Sequence, residues 1–192
     1  MKISEFFSLS ESSGYSFAGS FTPDLVFSKF WLMSELNQIQ PNISTAYILG
    51  SWYGNLALLM SRYGIPKVDQ FLNVEPNKKF LRGSQRMLEL ADVNNVEYMA
   101  KDANNLDYRQ LDSSSVVINT SLTDMQGNDW FKNIPTGTLV ALQARDHDPG
   151  RQFNSPTDIQ TEFPLSQLLY SSSLSLQDPE TRYRRFMTIG RR

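Results

Sequence analysis

From Thr45 onward the chain repeats one pattern: a short apolar run, a polar or glycine-containing break, then a stretch with helical spacing. Strands that alternate with helices bury both faces of a sheet only when the sheet is mostly parallel and helices pack on each side of it. Residues 46–49, 68–74, 96–100, 115–118 and 138–143 therefore read as five strands of a doubly wound α/β domain. Between the first two, Leu56, Leu59, Met60 and Tyr63 recur at helical spacing, and Pro76 opens a helix to about residue 90 at a position where proline is tolerated. After Asp146 the period breaks, and the spacing predicts a long loop over 147–156 and a short helix over 165–169. Residues 174–176 and 182–189, separated by Asp178-Pro179-Glu180, then form an antiparallel hairpin, which completes a seven-stranded sheet.

Ahead of this domain, residues 1–20 are rich in Ser, Gly and Phe without a sustained period and read as a loose arm. Leu25, Phe27, Phe30, Trp31, Met33 and Leu36 mark an amphipathic helix over 25–39, ended before Pro41. It either lies over a ligand site as a lid or covers one edge of the sheet. The chain thus divides into an N-terminal arm and helix, 1–44, and the α/β domain, 45–192.

Composition narrows the chemistry. With no cysteine and one histidine, disulfides, thiolate zinc and histidine-rich metal sites are not supported, so no metal is expected. A net charge of −2 offers no global attraction to nucleic acid or anionic lipid. Arg182, Arg184, Arg185, Arg191 and Arg192 cluster at the end, where a solvated face is the ordinary reading and a phosphate-contacting patch the alternative. No run approaches the roughly 18 apolar residues that span a bilayer, and the first residues lack a signal-peptide core, so a soluble cytoplasmic protein is expected.

In an open α/β sheet the ligand lies beyond the carboxyl ends of the strands. The first strand is followed by Gly50-Ser51-Trp52-Tyr53-Gly54, whose glycines permit a tight turn and close backbone approach to a ligand at a helix N-terminus. The second is followed by Glu75, an acid suited to both hydroxyls of a ribose. Lys101-Asp102-Ala103 follows the third, where Asp102 can accept from an adenine amino group, and Asn119-Thr120-Ser121 follows the fourth. Each has an ordinary structural role as well: Glu75 as a helix N-terminal acid, Asp102 as a loop residue, Asn119 as a turn former. Their order at successive strand ends is the order a nucleoside requires. A dinucleotide is not supported, because G-x-G-x-x-G is absent, and neither is a P-loop nucleotide hydrolase.

The succession Tyr47-Ile48-Leu49-Gly50-Ser51-Trp52-Tyr53-Gly54, Asn73-Val74-Glu75-Pro76, Lys101-Asp102-Ala103 and Val117-Ile118-Asn119-Thr120-Ser121 resembles the motifs of class I S-adenosylmethionine-dependent methyltransferases. More loosely, Asn119-Thr120-Ser121 and the ending Tyr183 to Gly190 look similar to small methyltransferase-like proteins of bacteria and their phages. The resemblance implies S-adenosylmethionine as cofactor, with Gly50, Ser51, Trp52 and Gly54 at its amino-acid portion, Glu75 at its ribose, Asp102 and Ala103 at its adenine, and Asn119 facing the methyl group.

Two departures stand out. Trp52 holds the place of the central glycine of the family's usual G-x-G-x-G, and Asn119 is followed by Thr-Ser-Leu instead of Pro-Pro-Tyr, which argues against a flipped-base acceptor. Asn119 and Asp124 are the candidate catalytic residues, Asp146 and His147 further candidates for a base, and Trp130 and Phe131 core residues of a helix. The leading expectation is a methyltransferase of unknown acceptor. The alternatives are a protein that degrades or otherwise uses the same cofactor and a non-catalytic interaction protein, the latter favoured by a pocket filled by Trp52 or Tyr53.

Overall fold

The computed structural model describes residues 17–125, 127–146, 151–178 and 180–192. The strands are β1 (Asn42–Leu49), β2 (Lys67–Val74), β3 (Val96–Met99), β4 (Val116–Asn119), β5 (Leu139–Arg145), β6 (Gln167–Gln177) and β7 (Arg182–Arg191). The helices are α1 (Pro23–Ile39), α2 (Asn55–Tyr63), α3 (Lys78–Leu90), α4 (Asp129–Asn133) and α5 (Pro156–Glu162). One seven-stranded sheet runs in the order β3-β2-β1-β4-β5-β7-β6. Neighbours from β3 to β5 pair in parallel, whereas β7 is antiparallel to both β5 and β6. The α/β class, the parallel half and the terminal antiparallel pair are those expected from the apolar pattern. Strand order reverses at β1/β4, and the cleft described below opens there.

Why the central strands read as continuous apolar runs follows from what covers them. Ala46 and Ile48 of β1 join one buried cluster with Leu56 and Met60 of α2 and Leu32, Met33 and Leu36 of α1. Tyr47 and Leu49 join the other, with Trp130, Phe131, Ile159 and Phe163. Trp130 and Phe131 are core residues of α4, as expected. Residues 1–16 and His147 lie outside the described residues, so the expectations placed on the arm and on that imidazole are not addressed by the fold.

The sequence reading errs after Asp146. Residues 167–169 begin β6, and the helix of this region is α5, several residues earlier. Leu168 and Leu169 have apolar side chains but stay exposed, because β6 is an edge strand whose partners come only from β7. The helix start was written in Ser155-Pro156-Thr157-Asp158. Ser155 Oγ accepts from the Asp158 N–H at 3.2 Å, and Pro156 occupies the first turn. Ser155→Ala removes that cap and is expected to cost about 1 kcal/mol of stability, read from urea unfolding with an unchanged slope; an unchanged midpoint would show that the cap contributes nothing.

Candidate functional site

The turn after β1 is built on left-handed backbone: Gly50, Trp52 and Gly54 have φ of 61°, 49° and 77°. Glycine adopts this region freely, but a tryptophan there is strained and must be held. Glu75 holds it. One carboxylate oxygen accepts from the Trp52 N–H at 3.1 Å and the other from the Asn77 N–H at 3.0 Å, tying the β1 turn to the β2 turn. The indole packs at 5.2 Å from the Tyr53 ring and 6.1 Å from Phe80. Tyr53 is buried against Phe17 in the core.

Beyond the ends of β2 and β3 lies a cavity of 290 Å³ lined by Gly50, Val74, Pro76, Lys101, Asp102, Ala103, Asp124 and Met125. Apolar walls from Val74, Pro76, Ala103 and Met125 suit a flat ring, and Asp102 supplies a polar edge. Neither Trp52 nor Tyr53 is among its walls, so the indole in the glycine's place leaves this cleft open. Asp102 also caps the following turn, its Oδ1 accepting from the Asn104 N–H at 2.8 Å.

A second cavity of 160 Å³ lies on the α1 side of Gly50. Its walls include Gly50, Ser51, Trp52, Thr120, Ser121 and Asp124, together with Leu25 and Lys29 of α1, Arg145 and Arg185. Gly50 and Asp124 therefore border both cavities. Ser51 Oγ is buried there without a hydrogen-bond partner, an unsatisfied hydroxyl at the β1 turn. Helix α1 thus walls one side of the site while its Leu32, Met33 and Leu36 enter the core; it is both a cover for the sheet and part of the pocket.

The structure places the remaining sequence candidates differently. Asn119 is fully buried and forms the β4 turn: its Oδ1 accepts from the Ser121 N–H at 2.9 Å and its Nδ2 lies 2.9 Å from Met125 Sδ. It walls neither cavity, and its neighbours Thr120 and Ser121 do. Gly54 is also a packing residue, pressed against Ser84, Asn73 and Leu88. Glu75, only 8% exposed, acts first as the brace described above. Among the described residues no cluster of three or more His, Asp or Glu is suited to a metal ion, and no helix is long and apolar enough to cross a membrane.

Sequence reasoning missed Lys29 and Arg145, and it set Arg185 in a C-terminal cluster read first as a solvated face, with a phosphate-contacting patch as the alternative, whereas Arg185 is buried. Signals existed for two of the three. Lys29 interrupts the stripe Leu25, Lys29, Leu32, Leu36, which repeats at helical spacing. Arg185 alternates with exposed Arg184 and shares its parity with buried Tyr183 and Met187.

Burial of Lys29, with Arg185 nearby, holds its ammonium down to about 7 from the usual 10.5. An unfolded chain keeps that lysine protonated up to the higher value, so between about pH 7 and 10.5 unfolding takes up a proton and stability rises with pH. Below pH 7 the full penalty of burying the charge is present. Lys29→Met is therefore expected to stabilise the ligand-free protein by about 1–4 kcal/mol near pH 6, with the gain shrinking as pH rises towards 10. Paired thermal melts at pH 6, 8 and 10 read this difference; a gain that is constant with pH would contradict the assignment.

No family model matches this sequence, and no curated protein matches it. Solved structures do. The N-methyltransferase NodS from Bradyrhizobium japonicum WM9, in complex with S-adenosyl-L-homocysteine, aligns with a TM-score of 0.69 at 9% identity over 96% of this chain and 98% of that one. This chain has the class I methyltransferase fold. YcgJ from Bacillus subtilis aligns with a TM-score of 0.63 at 12% identity, over 85% of this chain and 99% of that one. Magnesium protoporphyrin IX methyltransferase from Synechocystis PCC 6803, solved with bound SAM, aligns with a TM-score of 0.59 at 13% identity, over 85% of this chain and 76% of that one. The alignment with NodS, over 96% of this chain, extends through the C-terminal antiparallel pair.

Proposed function

We propose that the protein is an S-adenosylmethionine-dependent methyltransferase that binds its cofactor in the cleft at the ends of β1, β2 and β3. The observation that carries this reading is the juxtaposition of two cavities across Gly50 and Asp124: a strand-end cleft with apolar walls from Val74, Pro76, Ala103 and Met125 beside Asp102, and a second chamber with room for another molecule. The residues fit the group. Val74, Pro76, Ala103 and Met125 suit an adenine and Asp102 its amino group; Glu75 walls neither cavity, but it stands between the lining residues Val74 and Pro76 with two of a carboxylate's roughly four acceptor positions in use, which leaves others for the ribose hydroxyls. Gly50 and the unsatisfied Ser51 hydroxyl suit the amino-acid portion. Neighbours of the same fold solved with S-adenosylhomocysteine or S-adenosylmethionine support the choice of ligand.

When bound, the cofactor supplies a methyl group on a sulfonium, a leaving arrangement that requires alignment of the acceptor more than strong acid or base chemistry. The chain's contribution is positional. Asp124, at the border of the two cavities, is placed to accept a hydrogen bond from an acceptor N–H or O–H, and α1 restricts water on the second cavity's outer side. Asn119 keeps a supporting role by shaping the turn that presents Thr120 and Ser121. Isothermal titration with S-adenosylmethionine and S-adenosylhomocysteine tests the reading: saturable binding of both, without binding of NAD, is expected, and absence of binding by the intact protein would sink it.

A further inference from the structure

Past the Gly50 turn, the second cavity collects cations from three elements: Lys29 of α1, Arg145 at the end of β5 and Arg185 of β7. Arg145 and Arg185 are direct cross-strand partners, an arrangement that is unfavourable for like charges. Lys29 and Arg185 are only 6% and 5% exposed. Both reach the same residue, Lys29 Nζ donating to Thr120 Oγ1 at 3.0 Å and Arg185 Nη2 to the Thr120 carbonyl at 2.5 Å.

Among the described residues no ion pair joins Lys29 or Arg185 to a carboxylate, and Arg145 has only Asp178 at 3.9 Å, with its guanidinium 4.8 Å over the Tyr183 ring. Asp124 and Asp24 act on Arg185 through space, and Asp24 is engaged by the Tyr183 hydroxyl at 2.6 Å. The Nε atoms of Arg145 and Arg185 are buried without partners. Buried cations left this way are costly unless an anion joins them, and two guanidinium forks with an ammonium match the planar or tetrahedral oxygens of a small oxyanion.

The place of these groups separates them from the adenosine cleft. None of the three lines that cleft; they line the cavity on the other side of Gly50, where the side chains of Lys29 and Arg185 reach back from their own elements to Thr120 at the end of β4. We propose that Lys29, Arg145 and Arg185 form the anion-binding end of the acceptor site, so that the molecule methylated by this protein carries a carboxylate or phosphate held there while its nucleophilic atom lies towards Asp124. This rests on the methyltransferase reading for the word acceptor, though the anion site itself does not. The depressed Lys29 ammonium agrees with it, since an arriving anion would restore the charged form.

The test uses the full chain at pH 6, with and without saturating S-adenosylhomocysteine. Sodium benzoate and potassium phosphate are titrated as probes at constant ionic strength, against chloride, and followed by calorimetry and amide chemical shifts. A saturable response to benzoate or phosphate is expected, benzoate marking a carboxylate acceptor and phosphate a phosphorylated one. Its apparent Kd should weaken at least tenfold in Arg185→Gln and Lys29→Met, with S-adenosylhomocysteine affinity within twofold of wild type. Arg145→Gln, at a less buried position, serves as the second variant should Arg185→Gln fail to fold by circular dichroism. No saturable anion response in wild type overturns the proposal even if S-adenosylhomocysteine binds. So does a loss of S-adenosylhomocysteine affinity in the variants that spares methylthioadenosine, which lacks the carboxylate, because the cations would then serve the cofactor. Anion binding with the same variant dependence but no S-adenosylhomocysteine binding upholds the anion site and removes the methyltransferase reading instead.

Discussion

Glu75→Ala is expected to weaken S-adenosylhomocysteine binding by about 100-fold or more, the equivalent of two charge-assisted hydrogen bonds at roughly 1.5–3 kcal/mol each. The size of the effect comes from two roles in one carboxylate. In the protein alone it ties the backbone N–H of Trp52 to that of Asn77, holding a non-glycine residue at φ 49° in the turn after β1. In the complex proposed above, its remaining acceptor positions would serve the ribose, although Glu75 itself walls neither cavity. Alanine removes both at once: the brace that keeps the turn preorganised, and the anion that hydroxyls would meet. Glu75→Gln separates them. Glutamine keeps one acceptor oxygen but turns the other position into a donor facing an N–H, so a loss of about tenfold is expected, consistent with one hydrogen bond of about 1.4 kcal/mol. Titration calorimetry on variants that retain the wild-type circular dichroism reads both. Alanine binding as tightly as wild type would remove Glu75 from the site.

Gly54→Ala should be a severely damaging small substitution, with about 3–6 kcal/mol lost, combining left-handed backbone strain with an overpacked core. Gly54 has φ 77° and leads directly into α2. A methyl group there would fall inside contact distance of Ser84 Oγ, 2.9 Å from Asn73 Nδ2 and 3.2 Å from Leu88 Cδ1. Ser84 and Asn73 are themselves buried and hydrogen-bonded to one another at 3.1 Å, so neither can retreat without breaking a buried polar contact. The glycine that looked like a ligand contact is thus the point where α3 closes on the end of β1. Urea denaturation gives the number directly. A loss below about 1 kcal/mol would mean that the helix yields freely. Gly64→Ala is the control: its φ is 62° but a Cβ meets nothing within 4 Å, so only the backbone term of about 1–2 kcal/mol remains.

Much of the fold was legible because its evidence is local. In β4 and β5 nearly every residue is buried, and from Ala46 to Leu49 of β1 successive side chains serve opposite buried clusters, so these stretches appear as apolar runs within one or two residues of the strands, although β1 begins earlier, at Asn42. The failure at residues 165–169 has the same origin. Edge strand β6 exposes Leu168 and Leu169 and alternates only further along, so its apolar start carried no strand period. The site divides similarly. Gly50, Ser51, Trp52, Asp102, Ala103 and Asp124 wall the two cavities as residues at strand ends should, whereas Glu75, Asn119 and Gly54 wall neither.

What the sequence by itself determined was the alternation of strand and helix, hence a mostly parallel sheet, and with it a row of turns at one edge where ligands lie. Hydrophobic periodicity is set within ten or so residues, and this chain's pattern there is strong. Only the tertiary structure decided that β7 inserts between β5 and β6, because strand order depends on long-range pairing that local spacing does not encode. That insertion places Arg185 opposite Arg145 and within reach of the same threonine as Lys29. Three cations scattered along the sequence thereby line one cavity, two of them buried, and the cost of burying those two exists only once the strands are paired.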